Sequence, residues 1–190
     1  HMSEGGLRVP LIISGPEIKK GKNQNFAFVT DIAATLSDIV FDEVDERIIG
    51  KSLQNSLAGS DEKNYTDSDS VGLEVTGNSA LFKGDFKIVR NRPPNGSNQW
   101  ELYNLSQDPG ETINLATSMS DKLQELTEEY KAYAEKNGVI ELPLDYEWAA
   151  EMTINTFKRN YLPLIWKAAF VIILAVFLVI VLIRRWRNSR

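Results

Sequence analysis

The 190-residue sequence contains no cysteine and a single histidine, His1. Without cysteine there is no disulfide framework, no thiol nucleophile and no thiolate metal site. His1-Met2 reads as the remnant of an expression tag and is set aside from fold reasoning. The rest of the chain then has no imidazole for general acid–base work or metal ligation. These absences remove most common catalytic centres. A basic body is lacking as well. The formal net charge is −5, and residues 184–190 hold four arginines, so the preceding chain carries −9. An acidic body argues against nucleic acid as a partner, because phosphate binding needs a basic face. The sequence opens without a signal peptide on Ser3-Glu4-Gly5-Gly6-Leu7-Arg8-Val9-Pro10. An apolar run with so little lead-in predicts a chain cut inside a domain. A small protein that begins with a strand is the alternative.

What is present stands out most at the C-terminus. Residues 168–183 are sixteen apolar residues in a row, and extending back to Leu164 gives twenty with only Lys167 interrupting. A helix of that length spans roughly 30 Å, the thickness of a bilayer's hydrocarbon core. A soluble helix packed on one side shows a polar stripe, and this one shows none. The run therefore reads as a transmembrane helix over 164–183. Lys167 sits near its start, where it can snorkel to the headgroups. Tyr161 and Trp166 at one end and Trp186 at the other fit aromatic belts. The arginines of 184–190 place that tail in the cytoplasm by the positive-inside rule, against a weaker set of Lys158, Arg159 and Lys167. The bulk of the chain is then periplasmic or extracellular. The tail arginines also suit contact with anionic headgroups.

Along the remaining chain, Val9–Ile13 reads as a buried strand bounded by Gly15-Pro16. Residues 19–25 form a polar loop. Val29 to Phe41 has helical spacing, with Ile32, Leu36, Ile39 and Val40 on one face and Thr30 or Asp31 as cap. Residues 50–59 give a turn and a short helix, and residues 60–70 an exposed acidic loop. Val71–Val75, Ser79–Lys83 and Phe86–Arg90 read as strands joined by tight turns, the last with clean alternation. Residues 92–97 form a hairpin loop with Asn95-Gly96 as its turn. Gln99–Leu105 is the last strand, and residues 107–111 a turn. Met119 to Lys136 is a helix carrying Leu123, Leu126, Tyr130 and Tyr133 on one face and closed by Asn137-Gly138. Residues 145–163 are a mixed stretch. The pattern gives a three- or four-stranded antiparallel sheet covered by a helix.

Several strings in this order resemble type I sulfatases: Glu4-Gly5-Gly6-Leu7-Arg8-Val9-Pro10, Val29-Thr30-Asp31-Ile32-Ala33-Ala34-Thr35-Leu36 and Gly50-Lys51-Ser52-Leu53. The second half, Gly77 to Val89 and then Trp100 to Thr112 followed by Asn114-Leu115-Ala116, resembles them more strongly. The likeness covers about residues 4–137 and leaves out the apolar helix. It implies the C-terminal portion of a member of the alkaline phosphatase superfamily. The expected fold class is α+β. A small antiparallel sheet of about four strands packs on a helix, preceded by a strand–helix remnant of the large α/β domain and followed by one transmembrane helix. The corresponding divisions are residues 3–59, the α/β remnant; 60–142, the C-terminal subdomain; 143–163, a juxtamembrane linker; 164–183, the membrane helix; and 184–190, the basic tail.

The resemblance also implies what the parent uses: a formylglycine made within a Cys/Ser-x-Pro-x-Arg string, and a divalent cation, Ca or Mg, held by aspartates and an asparagine. Lysines and histidines grip the sulfate, and one such lysine precedes the Glu-Gly-Gly string. None of these is found here. Ser14-Gly15-Pro16-Glu17-Ile18 has isoleucine where arginine is required and reads as an ordinary turn. No catalytic, cofactor-binding or metal residue is therefore assigned. Glu4 and Arg8 are expected to brace the missing active-site loop rather than do chemistry. Asp61, Asp67 and Asp69 lack a glycine-bearing loop and read as a solvated acidic segment. Asn64, Asn95 and Asn104 begin glycosylation sequons, which are common by chance.

The expected function is a non-catalytic, membrane-anchored fragment of a sulfuric ester hydrolase, supporting and tethering its catalytic domain. Its partners are that domain and the lipid bilayer through residues 164–183. The unpaired strand Val9–Ile13 predicts self-association or local disorder. Two alternatives remain open. One is a fragment of a phosphoesterase or phosphotransferase of the same superfamily. The other is a non-catalytic membrane-anchored binding module.

Overall fold

A computed structural model describes residues 2–143 and 145–188. The chain divides into two compact units, His1–Glu141 and Leu142–Arg190. In the first, α1 (Glu4–Leu7), α2 (Thr30–Phe41) and α3 (Gln54–Leu57) precede four strands. These are β1 (Ser70–Val75), β2 (Asn78–Lys83), β3 (Phe86–Arg90) and β4 (Glu101–Asn104), and α4 (Ser120–Lys136) follows. The second unit holds α5 (Trp148–Asn160) and α6 (Leu162–Asn188).

The strands form an antiparallel meander in the order β1-β2-β3-β4. Turn chemistry sets its register. Thr76 and Gly77 both take positive φ, 50° and 78°, the requirement of a two-residue hairpin whose twist matches the strands. Val75 consequently pairs with Asn78. Gly84, at φ 55°, serves the next two-residue turn, where Lys83 pairs with Phe86. The β3–β4 connection departs from expectation. Neither Asn95 nor Gly96 is left-handed; Asn98 is, at φ 61°. Its N–H donates to the Asn91 carbonyl at 2.8 Å, while Arg92 O accepts from both Asn95 and Gly96. A Cβ on Gly96 would lie 2.5 Å from Asn91 O. The Asn-Gly pair is thus used for close approach rather than for a tight hairpin.

Both sheet faces are covered. Alternation places Leu81, Ile88 and Leu102 on one face, where they meet Leu126 and Tyr130 of α4 in a closed cluster. Tyr130 Oη donates to Ser79 Oγ at 2.9 Å, so the phenol enters the core without losing a partner. Gly72 lies flat against the Tyr133 ring, which a Cβ there would approach to 2.5 Å. The other face packs Ala80, Val89 and Tyr103 around Met2. Met2 is fully buried, and its N–H donates to Asn91 Oδ1 at 2.9 Å. Met2 thus belongs to the packed core; His1 lies outside the described residues.

Two further expectations are corrected. Val9–Ile13 is not a buried strand. The segment has no regular secondary structure and no ladder partners, and Ile12 is 90% exposed. Apolar, β-branched composition favours extended backbone, but a strand requires a neighbour to complete its hydrogen bonds. No neighbour does so among the described residues. The α2 helix forms where its period predicts, and its apolar face is the open one. Asp31, Ala34 and Thr35 are buried, while Ile32, Leu36, Ile39 and Val40 face out, Leu36 at 58% exposure. Nor does Thr30 or Asp31 act as N-cap; that position is Val29, with no side-chain cap bond.

The second unit is more helical than a linker would be. Trp148–Asn160 is α5, and Tyr161 joins it to α6 through Tyr161 N–H to Phe157 O and Ile165 N–H to Tyr161 O, both 2.9 Å. Pro163 stands in the first turn of α6, where no N–H is needed. The helix runs past Ile183 to Asn188, with Arg185 and Arg187 in its last turn, a placement favoured by the helix dipole. Its 27 residues make it long and apolar enough to cross a membrane. Arg190 lies outside the described residues.

The packing predicts contrasting truncations. Leu126→Ala should cost about 2–5 kcal/mol, as for a fully buried leucine. Leu36→Ala on the open face should cost under about 1 kcal/mol. Urea unfolding of both variants measures the difference.

Candidate functional site

The densest polar arrangement lies on the sheet face opposite α4. Lys87 of β3 shares its face with Val89, and its cross-strand neighbours are Phe82 and Tyr103. Its side chain is fully buried. Glu4 Oε1 lies 2.9 Å from Nζ and Glu111 Oε1 lies 2.7 Å away. Glu111 Oε2 accepts the backbone N–H of Glu4 at 2.7 Å. The Phe82 ring stands 4.9 Å from the ammonium, within cation–π reach. An ammonium cut off from water costs several kcal/mol unless opposed charge and hydrogen bonds compensate. Here α1, β3 and the turn after β4 each contribute one member.

The turn that delivers Glu111 is strongly specified. Asp108 Oδ2 accepts the N–H of Thr112 at 2.7 Å and of Ile113 at 2.8 Å. These bonds, Ile113's first, hold the Asp108 carboxyl below the usual carboxylate range. Glu111 itself adopts φ 54°, a left-handed conformation that costs a non-glycine residue about 1–2 kcal/mol. The backbone thus bears strain where it aims a carboxylate at Lys87.

A second node fixes α2. Buried Asp31 accepts from Phe28 N–H at 2.7 Å, Lys51 N–H at 2.9 Å and Tyr65 Oη at 2.5 Å. Burial, then the Asp31 carboxylate, pushes the Tyr65 phenol well up. Thr35 Oγ1 donates to Asp31 O at 2.6 Å and accepts from Leu53 N–H at 2.9 Å. Gly50 must be glycine, because a Cβ would fall 2.2 Å from Thr30 O. These bonds explain the open apolar stripe of α2: Asp31, Thr35 and Asp38 all bond the 50–53 loop, so the stripe turns away. Phe26 joins the nodes, with ring centroids 5.3 Å from Tyr65 and 5.1 Å from Phe82.

Of the residues singled out by sequence, Glu4 enters the Lys87 cluster and Arg8 is exposed. Asp61, Asp67 and Asp69 do not converge. Asp69 Oδ1 pairs with Lys51 Nζ at 2.7 Å and Oδ2 accepts from Thr66 N–H, while Asp67 packs beside Gly84. Among the described residues no group of three His, Cys, Asp or Glu side chains is placed to hold a metal ion. Ser14–Ile18 is an exposed turn except for half-buried Ile18. Asn64 Nδ2 donates to Ser52 O, Asn104 Oδ1 accepts from Ser106 N–H and Oγ, and Asn95 is exposed. Sequence reasoning missed Lys87 and Glu111. The available signal was Val89: an apolar residue two positions from Lys87 marks that face as covered.

The first unit is thus a four-stranded meander with α4 on one face and an ion-paired lysine under the other. The chain belongs to the family described as N-sulphoglucosamine sulphohydrolase, C-terminal, whose model matches residues 1–137. It is 31% identical over 166 residues to an uncharacterized sulfatase of Schizosaccharomyces pombe, covering 76% of this chain and 28% of that protein. It is 26% identical over 142 residues to arylsulfatase K of Xenopus laevis, covering 69% of this chain and 26% of the relative. An N-acetylgalactosamine-6-O-sulfatase of Bacteroides thetaiotaomicron is 28% identical over 140 residues, with coverage of 66% and 27%. The chain thus spans little more than a quarter of the length of these curated relatives.

Asp31→Ala should destabilise the first unit by at least about 3 kcal/mol, since it leaves three donors unpaired in a buried charge-assisted network; thermal unfolding measures it. A pH dependence follows too. The Lys51 ammonium, first, and then the Thr66 N–H hold Asp69 down at about 2. Its stabilising contribution is present above about pH 4 and lost as pH falls towards 2. At the other extreme, burial raises Tyr103 and Tyr130 to about 12. Their contribution is intact below about pH 10 and lost as pH climbs to 12. Carboxyl NMR and phenolate absorbance titrations read the two limbs.

Proposed function

We propose that this chain is the closing subdomain of a membrane-anchored sulfatase, a sulfuric ester hydrolase whose reactive groups lie in a catalytic portion preceding it. The observation that carries this reading is the outward stripe of Ile32, Leu36, Ile39 and Val40. Contiguous open apolar surface marks an interaction site, and a helix whose polar side is buried has its apolar cover elsewhere. With the chain spanning 26–28% of its relatives, the rest of a sulfatase fold is the fitting cover. The exposed Val9–Ile13 segment suits the same cover, and in its absence is a template for self-association.

The chain itself supports and tethers rather than reacts. It has no Cys/Ser-x-Pro-x-Arg string. Formylglycine and a divalent cation, Ca2+ or Mg2+, belong to the proposed catalytic portion. The relatives' names include an arylsulfatase and an N-acetylgalactosamine-6-O-sulfatase, so a sulfate ester is the shared substrate chemistry. The α6 helix is the proposed anchor. Arg184, Arg185 and Arg187 follow its apolar stretch, which favours a cytoplasmic tail and an exoplasmic first unit. The same arginines suit anionic headgroups.

Incubated with an aryl sulfate and either cation, the isolated chain should give no turnover; clear turnover overturns the reading. In membranes the chain should resist alkaline extraction and be released by detergent, and deleting residues 164–183 should abolish that retention. Release of the intact chain by alkali sinks the anchor.

A further inference from the structure

The geometry points to Lys87 as a positioning residue: with Glu4 and Glu111 it forms a charge latch that fixes the direction in which the polypeptide before Met2 leaves the sheet. This rests on the proposed function, in which the catalytic portion precedes that point. The latch then sets the register between the catalytic portion and this subdomain.

Three observations converge on it. The first is economy of contact. Glu111 uses one oxygen on the Lys87 ammonium and the other on the Glu4 N–H, so a single carboxylate grips both the side chain and the backbone of α1. The second is strain. Glu111 holds a left-handed backbone in a turn locked by Asp108, which is unnecessary for a surface carboxylate. The third is the setting of Met2, buried with Ala80, Val89 and Tyr103 and bonded to Asn91. The α1 helix has only four residues and no buried residue of its own. So short a helix has no independent stability. Its orientation comes from Met2 ahead of it, from Leu7, which packs against the same apolar cluster, and from the latch.

Stability alone is a poor reason to bury such a triad. Apolar side chains of similar volume often serve as well or better, whereas ionic groups impose one geometry. That difference provides the test. The N–H groups of Glu4, Gly6, Leu7 and Arg8 report on α1, the first bonded to Glu111 and the others within the helix. Leu126 and Tyr130 amides report on the core. Hydrogen exchange would be measured on the 190-residue chain in detergent micelles, for wild type, Glu4→Gln and the triple variant K87M/E4M/E111M. The triple variant should keep its melting temperature within a few degrees and keep core protection, while protection of the four reporters falls by about tenfold or more. Glu4→Gln, at the rim of the cluster, should show a smaller loss confined to the same amides; it stands as the test if the triple variant does not fold. Unchanged reporter protection in a folded variant overturns the latch. Turnover of sulfate ester by the wild-type chain would instead overturn the reading on which it rests, so the two failures are separable.

Discussion

An ammonium group sealed from solvent must keep its counter-charges, and in this molecule that requirement reaches across the chain. Lys87 belongs to the middle of the meander, yet its carboxylates come from residues 4 and 111. Burying the lysine obliges both distant segments to arrive. The sheet can therefore be covered on this face only if α1 and the turn after β4 are in place. Phe82 extends the demand further, since it lies under the ammonium and against Phe26, which in turn meets Tyr65 of the Asp31 node. One desolvated charge thus stands at the head of a chain of contacts reaching α2.

The two faces of the sheet are built on different physics. Under α4 the contacts are mostly apolar, non-directional and tolerant: leucine, isoleucine and an aromatic pair of Trp100 and Tyr130 at 4.8 Å. On the opposite face an apolar cluster around Met2 is joined by charge and hydrogen bonds that fix Lys87, Glu4 and Glu111. Hydrophobic burial gives the first face its share of stability, while directional bonds give the second its geometry. A supporting subdomain needs both, because it has to persist and also to present its neighbour at a defined angle.

The strands and α4 were legible in the sequence because period-two alternation, paired turn residues and a three-to-four repeat all describe local geometry. Their one-helix, four-strand arrangement followed from the same signals. What escaped depends on which neighbour arrives. The period of α2 revealed a helix but not that Asp31 and Thr35, bound to the 50–53 loop, would turn its apolar stripe outward. Val9–Ile13 has strand composition, but no ladder partner among the described residues. Asn95-Gly96 looked like a hairpin turn because the pair so often is one; crowding by Asn91 decided otherwise. Within the site, nothing in Lys87 itself singles it out, because a lysine in an alternating strand ordinarily points to water.

The setting of Met2 has a practical corollary. Its backbone is pinned to Asn91 and its side chain fills a closed pocket floor between β2, β3 and β4. A label or affinity handle placed within residues 2–8 would disturb this packing and the seat of α1. Reporter groups for biophysical work therefore belong on exposed loops such as that around Lys20 or Asn95, which leave the packing undisturbed.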